Sequence, residues 1–225
     1  MNFESEQNID LGISEKKDGP MKNQPKNRTL FFKNKKLNKK IIISAGLVHG
    51  NKVAIIDDIN QNEVIFDCDA LITNRDKYLL TVTVSDCLPI YFYDRNKKII
   101  AIAHAGWRGV VSEIVKEVIN KFVGNYSSDL SDIEVFIGPH ICDCHFEVEA
   151  NVASFFAPLD SIIREKKIYI NLSQAVKNQL LKCGLSDANL NISEECTYCA
   201  DNKYFSFRRD KPESVEAMVA YIGLK

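Results

Sequence analysis

Three side chains spread along the first half of the chain, His49, Cys87 and His104, are the types that a borderline-soft metal ion asks for. One thiolate and two imidazoles suit Zn²⁺, and three protein donors leave a fourth position for water or substrate, as catalytic zinc sites do. Their separations form no local ligand motif, and the same residue types describe a buried thiol beside two hydrogen-bonded imidazoles. Cys87 and His104 also make a pair suited to nucleophilic chemistry, with the thiol attacking and the imidazole as base. A second group, His140, Cys142, Cys144 and His145, crowds into one short tract, which hints at metal binding by composition but matches no standard ligand spacing. Cys196 and Cys199 form a CxxC, half of a zinc ribbon or a redox pair, and no second CxxC exists. Arg208 and Arg209 beside Asp210 read as a surface ion pair or as a fork for phosphate or carboxylate.

The elements around these residues position them at strand ends. Leu80, Val82 and Val84 alternate with Thr81, Thr83 and Ser85, the period of a strand with one buried face, and the alternation stops at Cys87. Apolar strands over 90–93 and 99–103 follow, joined by a turn at 94–97, so the thiol and His104 fall one hairpin apart. Strand ends and the loops that follow them are where folds carry chemistry. His49 lies between Val48 and Gly50 at another strand exit, a poor setting for a core histidine. The spacing of Val111, Ile114, Val115, Val118, Ile119 and Phe122 predicts one amphipathic helix over 110–123. Its first N–H groups then face the His104 turn and are placed to hold an anion. Further strands are expected over 41–44, 53–57, 64–67, 133–137, 167–171, 189–192, 204–207 and 217–224. Helices are expected over 147–156 and from an N-cap at Ser173 to Cys183, with Gly184 closing the second. Many strands, few helices and no regular βαβ alternation predict an α+β fold, a mixed sheet or sandwich with helices outside it.

A chain of 225 residues with 45% apolar and 26% charged residues suits one domain with a substantial core. A net charge of −1 gives no general attraction to nucleic acid or anionic lipid. No apolar run reaches the ~18 residues of a membrane span, and residues 1–20 lack a secretory h-region, so a cytoplasmic protein is expected. Seven cysteines, an odd number, read as thiols or ligands rather than a disulfide framework. Residues 1–29 are polar and aperiodic and are expected to be a mobile extension, leaving 30–225 as the domain. No P-loop, GxSxG elbow or GxGxxG is present.

Six motifs in order resemble those of the laccase-domain family of YfiH type, whose members carry the labels multicopper polyphenol oxidase, peptidoglycan editing factor and purine nucleoside phosphorylase. They are Val48-His49-Gly50, Asp69-Ala70-Leu71-Ile72-Thr73, Ser85-Asp86-Cys87-Leu88-Pro89, His104-Ala105-Gly106-Trp107-Arg108-Gly109, Ile137-Gly138-Pro139 with Phe146-Glu147-Val148, and Cys196-Thr197-Tyr198-Cys199 with Phe205-Ser206-Phe207-Arg208-Arg209-Asp210. The resemblance implies a zinc site made by His49, Cys87 and His104. It also implies phosphorolysis of adenosine, inosine and methylthioadenosine to the base and ribose 1-phosphate or its methylthio analogue, and deamination of adenosine to inosine. Copper belongs to the family label, but one cysteine and two histidines are too few for a multicopper centre. The implied fold is similar to the catalytic domain of cytotoxic necrotizing factor toxins, a β-sandwich with flanking helices. The implied partners are a purine nucleoside and phosphate; the mechanism read onto these residues makes Cys87, His104 and Arg108 catalytic, with Arg108 and the N–H groups opening the helix over 110–123 holding the phosphate. Two other functions fit the same residues: a Cys/His hydrolase acting on a peptidoglycan precursor, and a nucleoside- or partner-binding protein without turnover. Family members usually open with an aromatic-Thr-x-Arg-x-Gly-Gly-Val-Ser segment that contributes to the pocket. The corresponding region, 30–36, has neither the arginine nor the glycines.

Overall fold

The computed structural model describes residues 8–211 and 213–225. The elements in chain order are β1 (Ile9–Ile13), α1 (Pro25–Asn34), β2 (Ile41–Gly46), β3 (Val53–Ile55), β4 (Glu63–Phe66), β5 (Ala70–Thr73), β6 (Tyr78–Val84), β7 (Leu88–Asp94), β8 (Ile99–Ala105), α2 (Trp107–Val111), α3 (Ile114–Tyr126), β9 (Ile133–Ile137), β10 (Glu147–Val148), α4 (Ala150–Ala153), β11 (Ser161–Arg164), β12 (Lys167–Ile170), α5 (Leu172–Lys182), β13 (Leu190–Ile192), α6 (Phe207–Asp210) and β14 (Met218–Leu224). One sheet has the order β1-β14-β6-β2-β4, a second β13-β9-β7-β8-β5-β3, and a small third β10-β12-β11. Both large sheets are mixed: β2 runs parallel to β4 and β6, β3 to β5, and β13 to β9.

Side-chain alternation stacks these sheets. Leu80, Val82 and Val84 of β6 join Tyr91 and Tyr93 of β7, Ile100 and Ile102 of β8, and Met218, Ala220 and Ile222 of β14 in a core between the two sheets. Ile90, Phe92, Ala101 and Ala103 leave the other face of the second sheet and pack on Val115, Val118 and Phe122 of α3 and Val176 and Leu180 of α5. Burial on both faces explains why β7 and β8 read as unbroken apolar runs. On the outer face of the first sheet, Phe31 and Phe32 of α1 pack with Met21, Leu79, Val219 and Tyr221. The α+β sandwich with flanking helices expected from the sequence is thus the one observed, in the layer order helix, sheet, sheet, helix.

Five local expectations need correction. Residues 8–29 are not a loose extension: β1 pairs antiparallel with β14 along its whole length, Ser14 N–H donates to Val219 O, and Met21 is fully buried. The backbone ladder and two anchors outweighed the polar composition. The helix expected over 110–123 is two, α2 and α3, separated by Glu113 in the left-handed region (φ 56°). The carbonyls that would carry one helix through are taken from outside, Val110 O by Gln179 Nε2 at 2.8 Å and Ser112 O by Asn51 Nδ2 at 2.7 Å. Over 147–156, Glu147 and Val148 pair with Tyr169 and Ile168 instead, which leaves only α4 helical. Residues 204–207 form no strand, because Ser206 caps α6 by accepting from Arg209 N–H. The cap of α5 is Asn171 rather than Ser173, its side chain accepting from Gln174 N–H.

Candidate active site

The crossing from one sheet to the other builds the site. β6 belongs to the first sheet and β7 to the second, and Asp86 makes the turn between them with φ 81°. Cys87 therefore stands at the mouth of the sandwich. β7 and β8 pair with Pro89 opposite His104, so the imidazole ends the neighbouring strand at the same edge. β8 pairs also with β5, Ala103 opposite Ala70, which brings Asp69 beside His104.

Asp69 is the organiser. Fully buried, it accepts from Val48 N–H (3.2 Å), His49 N–H (2.9 Å) and Gly50 N–H (2.8 Å), and its Oδ1 lies 3.0 Å from His104 Nδ1. Three successive N–H groups closing on one carboxylate form an anion-holding nest, and they fix His49 in the left-handed region at φ 61°. The carboxylate also assigns the His104 tautomer: Nδ1 carries the proton and Nε2 is left for Cys87 or an ion. The His49 and His104 rings meet edge to face at 4.9 Å. His49, Cys87 and His104 thus present one donor atom each, all within 4.8 Å of one another. Gly106 is required at this close approach, since a Cβ there would stand 3.1 Å from Cys87 Sγ and 3.3 Å from His49 Cδ2.

Electrostatics prepare the donors. Burial pushes the Cys87 thiol up, but the His104 charge, then hydrogen bonds from His104 and His49, bring it down to about 6. Burial lowers His104, yet the Cys87 charge and the Asp69 hydrogen bond raise it to about 9. Asp69 is held below the ordinary carboxylate range: burial opposes this, and the bonds from His104, Gly50 and His49 outweigh it. Between pH 6 and 9 the metal-free pair is a thiolate beside an imidazolium. Alkylation of Cys87 by iodoacetamide in metal-free protein, followed by peptide mass spectrometry, should therefore gain about tenfold per pH unit below its midpoint and level off above it. A midpoint near 6 is expected; one near the ordinary thiol value of 9.0 would contradict the pairing.

Two cavities share His49, Ser85, Cys87 and Phe207 in their walls. The larger, about 510 Å³, runs along the outer face of the first sheet past Ser44, Thr81 and Thr83, the polar half of the alternation. The smaller, about 250 Å³, is bounded by Trp107, Arg108, Ile141, Phe146, Leu172 and Arg208. Each contains an arginine with no ion pair among the described residues. Arg28, half-buried, reaches the larger cavity from α1, donating to Ser44 Oγ (2.8 Å) and Thr81 Oγ1 (3.0 Å). Arg108 stacks on Trp107, with its guanidinium carbon 4.4 Å from the ring centroid. The region 30–36 is largely helical, and Arg28 of the same helix reaches into the larger cavity. The helix expected to open here is divided: Trp107, Arg108 and Gly109 begin the five-residue α2, and α3 starts beyond the break at Glu113.

Asp86 ties the site to the C-terminal loop. Its carboxylate accepts from Thr197 Oγ1 (2.7 Å), Ser206 Oγ (3.0 Å) and Arg208 N–H (2.7 Å). Arg208 and Arg209 are neither a simple surface pair nor a free fork. Arg208 Nη1 donates to Glu147 O at 2.8 Å, and Arg209 donates to Thr197 O, Tyr198 O and Tyr204 O while pairing with Asp210. Asp86→Asn keeps a residue that tolerates positive φ but removes the charge from three buried bonds. We expect a loss of about 2–3 kcal/mol in urea unfolding; a loss under ~0.5 kcal/mol would contradict the anchoring role.

The model of the family described as multi-copper polyphenol oxidoreductase laccase matches residues 6–225. The chain belongs to that family. A purine nucleoside phosphorylase of Bacteroides thetaiotaomicron is 33% identical to this laccase-family chain over 157 residues, 66% of this chain and 58% of that protein. This match therefore spans less than two thirds of the relative's length. The adenosine deaminase RL5, from an unknown prokaryotic organism, is 32% identical over 176 residues, 72% of this chain and 67% of its own. Among solved structures, the hypothetical protein YfiH of Bacillus licheniformis superposes with a TM-score of 0.88 at 24% identity, over 96% of this chain and 93% of that one, a likeness of fold. No helix among the described residues is long and apolar enough to cross a membrane.

Sequence reasoning singled out His49, Cys87, His104 and Arg108, and the structure gathers all four around the paired cavities. It overlooked Asp69, Asp86 and Arg28. Asp69 and Asp86 had a signal, a carboxylate directly before a buried strand and directly before the thiol; Arg28 sits in a polar stretch that gives none.

Proposed function

We propose that the protein is a zinc-dependent purine nucleoside enzyme that cleaves nucleosides with phosphate and deaminates adenosine. The observation that carries this reading is the pair of cavities meeting at Cys87 and His49, each holding an arginine without an acidic partner. The names of the two relatives, a phosphorylase and a deaminase, agree with it.

The donor set fits zinc. One thiolate and two imidazoles, one of them oriented by a buried carboxylate, are a three-ligand arrangement open on its cavity side. The same donors occur in blue-copper sites, which add a weak axial thioether, and no methionine among the described residues lines either cavity. When bound, Zn²⁺ supplies Lewis acidity at the point where the cavities join. The rest is done by the chain. The larger cavity has the volume for a nucleoside, with the Ser44, Thr81 and Thr83 hydroxyls and Arg28 as hydrogen-bonding groups for its sugar. The smaller holds phosphate against the Arg108 guanidinium, whose planar donors match phosphate oxygens. In phosphorolysis a phosphate oxygen bonds to the sugar C1′, the C1′–N9 bond breaks, and the purine leaves with that electron pair and takes up a proton. In deamination water adds at C6 of adenine and ammonia departs. The cytoplasm, with its nucleosides and phosphate, is the proposed compartment.

A division of labour follows. Arg108→Ala should lower phosphorolysis by about 10²-fold or more, a loss of ~3 kcal/mol of transition-state stabilisation, and leave deamination and bound zinc unchanged. Arg28→Ala should raise KM for the nucleoside in both reactions. Product chromatography from adenosine with and without phosphate reads both; equal loss of the two reactions in Arg108→Ala would contradict the assignment.

One observation favours a second reading. A thiolate at about 6 beside an imidazolium at about 9 is also the resting state of a cysteine nucleophile, as a peptidoglycan-precursor hydrolase would need. Covalent trapping of Cys87 by a thiol reagent in protein purified without zinc would favour it.

A further inference from the structure

Two sequence tracts, one matching no standard ligand spacing and the other half of a zinc ribbon, meet in space. Cys144 and His145 come from the loop between β9 and β10, Cys196 and Cys199 from the loop after β13, and their four donor atoms all lie within 4.8 Å of one another. Cys144 Sγ stands 3.7 Å from both Cys196 Sγ and Cys199 Sγ. His145 Nδ1 is 3.2 Å from Cys144 Sγ and 3.3 Å from Cys199 Sγ. A disulfide needs ~2.05 Å, and all of these cysteines are free. A tetrahedron of ~2.3 Å Zn–S bonds, by contrast, has S···S edges of ~3.8 Å.

The surroundings are built to hold the donors there. The His145 ring stacks on Tyr198 at 3.9 Å and 15°, fixing its orientation. Cys142 N–H donates to Cys196 Sγ at 3.4 Å, a bond that stabilises a thiolate. A parallel bridge joins His140 to Cys196, and Thr197 N–H donates to His140 O at 2.9 Å. Arg208 and Arg209 clamp the carbonyls of both loops. His140 and Cys142, which the sequence places in the same tract, stand outside the four-donor group: His140 is buried with Nδ1 on Gly138 O, and Cys142 Sγ reaches His140 O and, of the four donors, Cys196.

We propose that Cys144, His145, Cys196 and Cys199 form a second, structural zinc site, closed by four protein ligands, that staples the 140–148 loop to the 196–210 loop. Thr197, Ser206 and Arg208 of the stapled loop hold Asp86, the residue before Cys87. The ion therefore supports the first site from behind without entering its chemistry. Nothing in this assignment depends on the nucleoside reaction.

The test is metal stoichiometry by plasma mass spectrometry on the full chain, purified with zinc and dialysed. Wild type should hold two equivalents. Cys87→Ala should hold one, in which Co²⁺ substitution gives the strong thiolate charge-transfer bands of a tetrahedral site with three sulfurs. Cys199→Ser should lose one equivalent and Cys142→Ser none. Should Cys199→Ser fold poorly, the Cys87→Ala protein reads the second site alone. A Cys87→Ala protein without metal, or a disulfide within the cluster in non-reducing peptide mapping, overturns the proposal.

Discussion

Cys87→Ala should remove one equivalent of zinc and reduce both phosphorolysis and deamination by about 10³-fold or more, a loss of ~4 kcal/mol. The thiolate is the one anionic donor among the three that meet there, and two imidazoles alone hold zinc far more weakly. Without it the His104 imidazolium also loses the charge that chiefly raises it to about 9. The folded state should persist, because Cys87 lines both cavities rather than the core. Metal analysis with initial rates on adenosine checks this outcome. Full activity in a variant lacking that ion would refute the site.

Asp69→Asn should weaken zinc binding at the same site by 10- to 100-fold, the usual cost of losing a carboxylate behind a histidine ligand. It should also destabilise the protein by about 2–4 kcal/mol. An amide has one acceptor oxygen where the carboxylate has two, and its NH₂ would face N–H groups. Four donors converge on Asp69: the N–H groups of residues 48, 49 and 50, and His104 Nδ1. The substitution therefore releases the His49 backbone and the His104 tautomer together. Competition with a chromogenic chelator measures the affinity, and urea unfolding the stability. Unchanged affinity would show that the two histidines are oriented by something else.

Much of this was legible in the sequence because it is written in local patterns. The β6 alternation separated a sandwich face from a face carrying Thr81 and Thr83, and that second face proved to be a cavity wall. Cys87 and His104 were readable as neighbours because one hairpin separates them. What stayed hidden depends on distant partners. Asn51 and Gln179 end a helix that its own periodicity would continue. Pairing with the last strand orders residues whose composition is that of a tail. Arg28 is set over the cavity by the packing of Phe31 and Phe32 on the sheet, which no motif encodes. The tract over 140–145 and the CxxC each supply two donors of one cluster, Cys144 with His145 and Cys196 with Cys199, and only the fold brings them together.

The most direct measurement is product analysis after incubating the zinc-loaded protein with adenosine, with and without phosphate, alongside its zinc content. Adenine and ribose 1-phosphate are expected only when phosphate is present, inosine and ammonia without it, and loss of both when a chelator empties the site. No product in either arm, or turnover that survives complete removal of metal, would contradict it.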